Sequence, residues 1–479
     1  MSIDGKVAVS SHDWRANFRA RALSDRVVLV SDHGSWMFVS RQELAALHAC
    51  RADAELLARL ERRGLLRTPD NQQDLEQALE RWRAPHLRGA ALHIVVTTRR
   101  CNLACRYCHA SSTPENGPLQ DLDAPTAEKI VDFAFHSPVP SLAIEFQGGE
   151  SLLNLDAVRH TVIVARERAR QTGKKVRFSL VSNLTLLTPS TLDYLKENQI
   201  GLSTSVDGPP AIHDRNRPFC SGCGSYRQVM AAVQQVRQAG CHAGFLTVLT
   251  PASLPHYKEI VDHHLSLGID ILCLNPAQAL GRGRDDSHIS DFDAYLDCYR
   301  KILDYTFALL DEGVVVTERF LLLALQKVVD CSDVGFADFR NPCGAVFSQL
   351  AYDVNGDIYP CDEARSFPEF RLGNVALDTY EKIVHLQKAR DLVRASIPSA
   401  PLCRDCAYEP YCGLCPVMSY AEGRGLTPVP PDDFRCRLTR FLFDFVFEKM
   451  ASDPEQLNAL MRYQALRGGL QKARAELRG

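Results

Sequence analysis

Three cysteines, Cys101, Cys105 and Cys108, follow directly on an apolar, β-branched run, Leu92-His93-Ile94-Val95-Val96-Thr97. The run reads as a buried strand, so the thiols sit on the loop that leaves it. Their spacing is Cys-x3-Cys-x2-Cys, with Tyr107 immediately before the third. Three thiolates so placed can hold three irons of a four-iron, four-sulfur cluster and leave the fourth iron without a protein ligand. An open metal position is a place for chemistry, by the logic that separates catalytic from structural zinc sites. The rival reading of the triplet alone is a three-cysteine zinc site or a set of buried free thiols.

Composition narrows the setting. The chain has 479 residues and a net charge of -3, so it can build two to four domains and carries no global basic field for nucleic acid or an anionic membrane. No apolar run reaches bilayer length, and the N-terminus lacks the apolar core of a signal peptide, which places the protein in the cytoplasm. Seventeen cysteines are many for that compartment, where they serve more often as metal ligands than as disulfides. They cluster: three lie at 101–108 and seven between 343 and 436.

Residues 1–85 read as a separate small α+β module. Val27–Val30 and Trp36–Val39 flank a turn-rich segment, which predicts a hairpin. Ser40 and Glu43 form a capping box for a helix, and a second helix is predicted from Asp53 to Arg63. From residue 90 strands and helices alternate. Strands are predicted at 92–97, 141–146, 176–182, 200–206, 242–249 and 270–274, with amphipathic segments between them, an α/β pattern that implies a parallel sheet with crossover helices. Residues 290–330 read as a helical connector, with Tyr295, Ile302, Leu303 and Phe307 on apolar faces. The expected boundaries are 88–285 for the α/β core, 286–335 for the connector, 336–445 for the cysteine-rich region and 446–479 for a helical tail.

The segment Cys101-Asn102-Leu103-Ala104-Cys105-Arg106-Tyr107-Cys108 resembles the cluster motif of the radical S-adenosylmethionine (SAM) enzymes. The resemblance implies a partial (β/α)6 barrel with active residues at the carboxyl ends of its strands. It also implies that SAM binds the free iron and is cleaved by one electron to methionine and a 5'-deoxyadenosyl radical. Gln147-Gly148-Gly149-Glu150 resembles the motif that binds the methionine amino group, with Ser151 where the family usually has proline. The strand end Val181-Ser182-Asn183 is a further candidate contact. Ser203-Thr204-Ser205-Val206-Asp207-Gly208-Pro209, with Arg217 beyond it, is similar to the peptide-modifying branch and to anaerobic sulfatase-maturing enzymes. There the residue matching Ser205 contacts the ribose and the one matching Arg217 the SAM carboxylate. Tyr107, Gln147, Gly148, Gly149, Glu150, Asn183, Ser205 and Arg217 are therefore the expected cofactor-binding residues.

The later cysteines run Cys343-x12-Gly356-x4-Cys361, then Cys403-x2-Cys406-x5-Cys412-x2-Cys415, then Cys436. This resembles the SPASM domain, whose seven cysteines hold two auxiliary four-iron clusters; the family commonly has three residues before the sixth cysteine, and this chain has two. The family topology gives Cys403, Cys406, Cys412 and Cys436 to one cluster. It leaves Cys343, Cys361 and Cys415 for the other, completed by a non-cysteine group, by Cys331, or by an open iron. Relatives carry at the position of Asp362 an aspartate that takes a proton from substrate, so Asp362 is the candidate catalytic residue. Cys220 and Cys223 read as free thiols, and Cys50, Cys241, Cys273 and Cys298 as core residues.

Ile144-Glu145-Phe146-Gln147-Gly148-Gly149-Glu150, Ser182-Asn183-Leu184-Thr185, Asp357-Ile358-Tyr359, Asp362-Glu363-Ala364-Arg365 and Arg371-Leu372-Gly373-Asn374 together resemble the radical SAM maturase of the His-Xaa-Ser peptide system. The resemblance implies hydrogen abstraction from a ribosomally made precursor peptide and an oxidative cross-link, carbon–carbon or carbon–heteroatom. The cofactors would be SAM and three four-iron clusters. The partners would be the precursor, an electron donor such as flavodoxin or ferredoxin, and a second maturase of the same system, with no nucleic acid and no membrane. Residues 1–85 resemble the small winged-helix-like modules that bind leader peptides, and would do so here or cap the barrel edge. The second reading is formylglycine formation on a sulfatase. A third, from another class, is a non-catalytic zinc or iron–sulfur binding protein.

Overall fold

The computed structural model describes residues 5–6, 10–11, 14–84, 88–284, 291–331, 334–335, 339–463 and 465. Its centre is a mostly parallel sheet that is nine-stranded among the described residues. Six parallel strands come from the α/β region: β1 (Leu92–Thr98), β2 (Ser141–Gly148), β3 (Lys175–Val181), β4 (Ile200–Ser205), β5 (Ala243–Leu249) and β6 (Leu274–Pro276). Each lies beside the next in chain order, as successive β-α units require. Crossover helices Ala124–Phe135, Leu155–Thr172, Pro189–Glu197, Tyr226–Gln238 and Tyr257–Ser266 fill the intervals. Asp123, Asn154 and Thr188 cap three of them through their side chains, each such cap contributing about 1 kcal/mol. Ile144, Phe146, Phe178, Leu180 and Leu202 pack with Val131, Val158 and Val233 into the core between sheet and helices.

The sheet does not stop at β1. Strand β7 (Gln349–Tyr352) pairs parallel to its other edge, and β8 (Asp357–Tyr359) and β9 (Gly373–Asn374) follow antiparallel. The cysteine-rich region is thus grafted onto the core sheet. His93 joins the two, its ring within hydrogen-bonding distance of Tyr352 at 2.8 Å and stacked on it.

In the N-terminal region Ser40 and Glu43 form the capping box and start the helix Arg41–His48; the second helix is Ala54–Arg62, capped by Asp53. Val27–Val30 pairs antiparallel with Trp36–Val39 and with Arg19–Ala22. All four residues of Val27–Val30 are buried because the strand has two dry faces. Val27 and Leu29 pack on the local helices with Leu44, Leu47 and Leu60. Val28 and Val30 pack instead on the connector and C-terminal helices with Tyr411, Phe443 and Phe447.

Tyr295, Ile302, Leu303 and Phe307 are buried along the connector helix Phe292–Asp311. Cys298 and Cys273 are buried and Cys241 is partly so, but Cys50 is exposed: it sits past a helix end with φ of 51°. The last part of the expected tail, 466–479, lies outside the described residues. No helix among those described is long and apolar enough to cross a membrane.

Candidate active site

At the carboxyl ends of the strands lies a cavity of about 320 Å³, lined by Cys101, Cys105 and Cys108 together with Gln147, Gly148, Gly149, Asn183, Ser205, Arg217 and Tyr107. Residues separated by more than a hundred positions meet there because backbone pairs with backbone. Segment 216–220 runs beside the cysteine loop: Ala104 N–H donates to Pro218 O at 2.8 Å, Arg106 N–H to Asn216 O at 3.0 Å and Cys220 N–H to Asn102 O at 2.9 Å. That pairing carries Arg217 to the cavity.

The glycines serve a second close approach. The β1–β2 register shifts between Gln147 and Gly148, and Gly149 and Glu150 N–H then donate to Thr98 O and Arg100 O, both at 2.8 Å. A Cβ on Gly149 would run into the Arg100 carbonyl, and one on Gly148 into that of Thr98. Gly148, at φ +151°, also needs glycine's conformational freedom.

Glu150 departs from its expected role. It is fully buried and does not line the cavity. Its carboxylate accepts from Ser182 Oγ at 2.6 Å, Leu152 N–H at 2.9 Å and Asn183 N–H at 2.8 Å. Burial pushes its pKa up against those bonds. It fixes the end of β3, and Asn183 passes the order on: its amide donates to Asn102 Oδ1 at 2.8 Å, beside Cys101.

Arg217 Nη1 donates to Tyr107 Oη at 2.7 Å, and Tyr107 Oη donates to buried Asp207 at 2.6 Å. Asp207 also accepts from Asn216 Nδ2 at 3.1 Å and lies 3.8 Å from Arg217. The guanidinium therefore faces the cavity from a fixed base, suited to a carboxylate.

Arg282 was not singled out in the sequence, although Gly281-Arg282-Gly283-Arg284 just past β6 is a polar, glycine-rich strand end of the kind that could have flagged it. Its side chain donates to Cys105 O at 3.0 Å and Ser112 O at 2.8 Å. Its backbone N–H donates to Cys108 O at 2.9 Å. The thiols differ accordingly. Burial pushes Cys105 up to about 11 and raises Cys101 further, whereas at Cys108 burial is outweighed by Arg282, His109 and Ser112, which lower it.

The cysteine-rich region closes the cavity with Asp362 and Glu363, and the helix Phe434–Ser452 adds Phe434 and Leu438. Asp362, the expected proton acceptor, is held between two cationic side chains. Arg365 donates to one carboxylate oxygen through Nε at 2.9 Å and through Nη2, and His109 lies 2.9 Å from the other. Burial alone would raise this carboxyl, but Arg365 and His109 hold it well below the usual carboxylate range. Burial would lower His109; Asp362 overrides it and raises the ring to about 9.

The later cysteines gather in two groups. Cys403, Cys406, Cys412 and Cys436 line a separate cavity of about 380 Å³. Cys343, Cys361 and Cys415 share an apolar cluster with Tyr359, Phe367 and Met418. Cys331 joins neither group: its thiol contacts Gly34 O at 3.4 Å and Val328 O at 3.6 Å. Cys220 and Cys223 are exposed. Among the described residues no three His, Cys, Asp or Glu side chains converge on a point for a single metal ion. The triplet and the group of four instead ring cavities, an arrangement suited to a cluster.

Comparison with known proteins agrees with this geometry. Residues 95–274 match the radical SAM superfamily and residues 343–407 the SPASM iron-sulfur cluster-binding domain. A cysteine-type anaerobic sulfatase-maturating enzyme of Clostridium perfringens is 23% identical over 319 residues, covering 65% of this chain and 84% of that protein. The solved structure of native anSMEcpe with bound AdoMet and Cp18Cys peptide superposes with a TM-score of 0.65 at 20% identity, over 78% of this chain and 99% of that one. Streptococcus suis SuiB bound to precursor peptide SuiA gives a TM-score of 0.54 at 15% identity, over 88% of this chain and 98% of that one. The chain is a radical SAM/SPASM-domain enzyme, similar in sequence to anaerobic sulfatase-maturating enzymes and sharing its fold with SuiB, and its matched domains are ones that bind SAM and iron–sulfur clusters.

Proposed function

We propose that this radical SAM/SPASM-domain enzyme oxidises a side chain of a peptide or protein substrate. The observation that carries the reading is the single cavity in which the cysteine triplet, Gly149, Ser205 and Arg217 face Asp362 and Glu363 of the cysteine-rich region. The three thiols would hold a four-iron cluster, and with SAM bound that site would supply a hydrogen-abstracting radical. Gly148 and Gly149 let the backbone approach the bound molecule, Arg217 offers its guanidinium to a carboxylate, and Ser205 offers a hydroxyl. Phe434 and Leu438 would keep water out. Asp362 orients His109 and Arg365 on the wall between this cavity and Cys361.

Cys403, Cys406, Cys412 and Cys436 would hold a second four-iron cluster, and Cys343, Cys361 and Cys415 a third. A flavodoxin- or ferredoxin-type donor fits the need for a low-potential electron.

Formylglycine formation on a sulfatase-type protein is the product that the relatives support better, since sulfatase-maturing enzymes match at 23–25% identity. Cross-linking of a precursor peptide is the second reading; the N-terminal region, with its own sheet and helices, and the longer overlap with SuiB favour it. The partner would then be that precursor, with a second maturase of the same system. Anaerobically reconstituted enzyme, given SAM, a reductant and candidate peptides, should form 5'-deoxyadenosine and change the peptide's mass. A hydrazide-reactive aldehyde marks formylglycine; loss of two hydrogens without an aldehyde marks a cross-link. SAM cleavage that no peptide stimulates or records would overturn the proposal. Asp362→Asn should preserve peptide-free SAM cleavage and lower peptide turnover about tenfold, since it unpairs His109 and Arg365 on the shared wall.

A further inference from the structure

The cavity ringed by Cys403, Cys406, Cys412 and Cys436 is not built by the cysteine-rich region alone. Ala20 and Arg21, on the N-terminal strand Arg19–Ala22, form part of its lining, as does Arg440. The strand is anchored there by side chains. Arg21 grips Asp444 with Nε to Oδ1 at 2.9 Å and Nη2 to Oδ2 at 2.7 Å. Arg19, only 7% exposed, donates through Nε to Arg404 O at 2.8 Å and lies within 3.3 Å of Glu409. Tyr408 Oη donates to Asp444 at 2.7 Å, completing a lattice between strand and cysteine loop. The nearby carboxylates Asp444 and Glu409 are thus each met by an arginine of the N-terminal strand.

We propose that the N-terminal strand is the outer wall of this auxiliary cluster site and that Arg21, with Arg440, sets the reduction potential of the cluster held there. The inference rests on the reading of these four cysteines as cluster ligands. Reduction adds one negative charge to a buried group, so a cation in the wall stabilises the reduced form and raises the potential; net charge and solvent exposure are the protein's main means of tuning it. A role for residues 1–85 follows that needs no leader peptide.

The test is an anaerobic redox titration of the full-length reconstituted protein, followed by electron paramagnetic resonance on the signal that Cys406→Ala removes. Arg21→Gln should lower the midpoint by the equivalent of about a tenfold change in the reduction equilibrium, about 59 mV for one electron. Arg440→Gln should shift it the same way, and Arg21→Lys should restore it. Asp444→Asn should move it upward. Unchanged midpoints in Arg21→Gln and Arg440→Gln, with the signal intact, would overturn the inference alone. Absence from the wild-type protein of any signal sensitive to Cys406→Ala would overturn the cluster reading and this inference with it.

Discussion

The radical cavity and the four-thiol cavity each gather cysteines, but they are built differently. Around Cys101, Cys105 and Cys108 the construction is mainly backbone: segment 216–220 pairs along the loop, Gly149 and Glu150 pair with Thr98 and Arg100, and Arg282 holds three loop carbonyls. Around Cys403, Cys406, Cys412 and Cys436 it is mainly side chain, with Arg19, Arg21, Tyr408 and Asp444 bracing the wall. Burial raises thiols at both sites, Cys105 and Cys403 each to about 11, and Cys108 alone of the triplet is lowered, by neighbouring cations. A backbone-built site leaves one side for a substrate; a site braced by side chains from three parts of the chain is suited to holding a cluster and moving electrons.

The strongest break of that comparison is Cys105→Ala. It should abolish SAM cleavage and remove about four of about twelve irons, leaving the signal sensitive to Cys406→Ala in place. Iron analysis and resonance spectra together check it. Loss of both signals would mean that the two sites do not assemble independently.

Gly149→Ala comes next. The added methyl meets a backbone carbonyl that belongs to the cysteine loop itself. Overpacking of this kind costs about 1–3 kcal/mol, and here it displaces Arg100 and with it Cys101. SAM cleavage should fall at least about tenfold, while the potential of the Cys406-dependent cluster stays unchanged. A variant that cleaves SAM normally would show that the approach of the two backbones is incidental.

Much of this was legible in the sequence, and the pattern of what was not is instructive. Five of the six core strands were readable because buried parallel strands are apolar runs; the sixth, expected at 270–274, forms at Leu274–Pro276, while Ile271–Leu272 pairs apart from the sheet with Thr317–Glu318. The capping box at Ser40 and Glu43 was readable because capping is local. Both cysteine groups were visible from spacing. The addition of β7 to the core sheet was not, because it pairs residues about 260 positions apart and leaves no local trace. Glu150 was read as a ligand contact because its motif names a carboxylate beside two glycines; only the fold shows three hydrogen bonds occupying it from behind. The N-terminal strand's place at the second cavity was equally hidden, since Arg19 and Arg21 in sequence look like surface charges.

A last, smaller effect tests whether the wall behind the radical cavity is dry. The connector helices meet behind the radical cavity, which Tyr299 lines. The Tyr299 hydroxyl donates to Glu318, a fully buried carboxylate that also caps the helix Arg319–Asp330 through Leu321 N–H at 3.0 Å. Burial raises Glu318 from 4.5 to about 7, against the pull of these bonds. The folded protein therefore binds this proton more tightly than the unfolded chain does. The stabilisation is fully present below the unfolded value of 4.5 and is lost as pH rises through about 7. Between about pH 6 and about pH 8 the wild-type protein should lose about 1 kcal/mol more stability than Glu318→Gln, which carries no titrating proton there. Anaerobic thermal unfolding of both proteins at the two pH values measures the difference. Parallel curves would mean that water reaches Glu318 and that the wall behind Tyr299 opens; a flattened curve for the variant would fix that wall as dry.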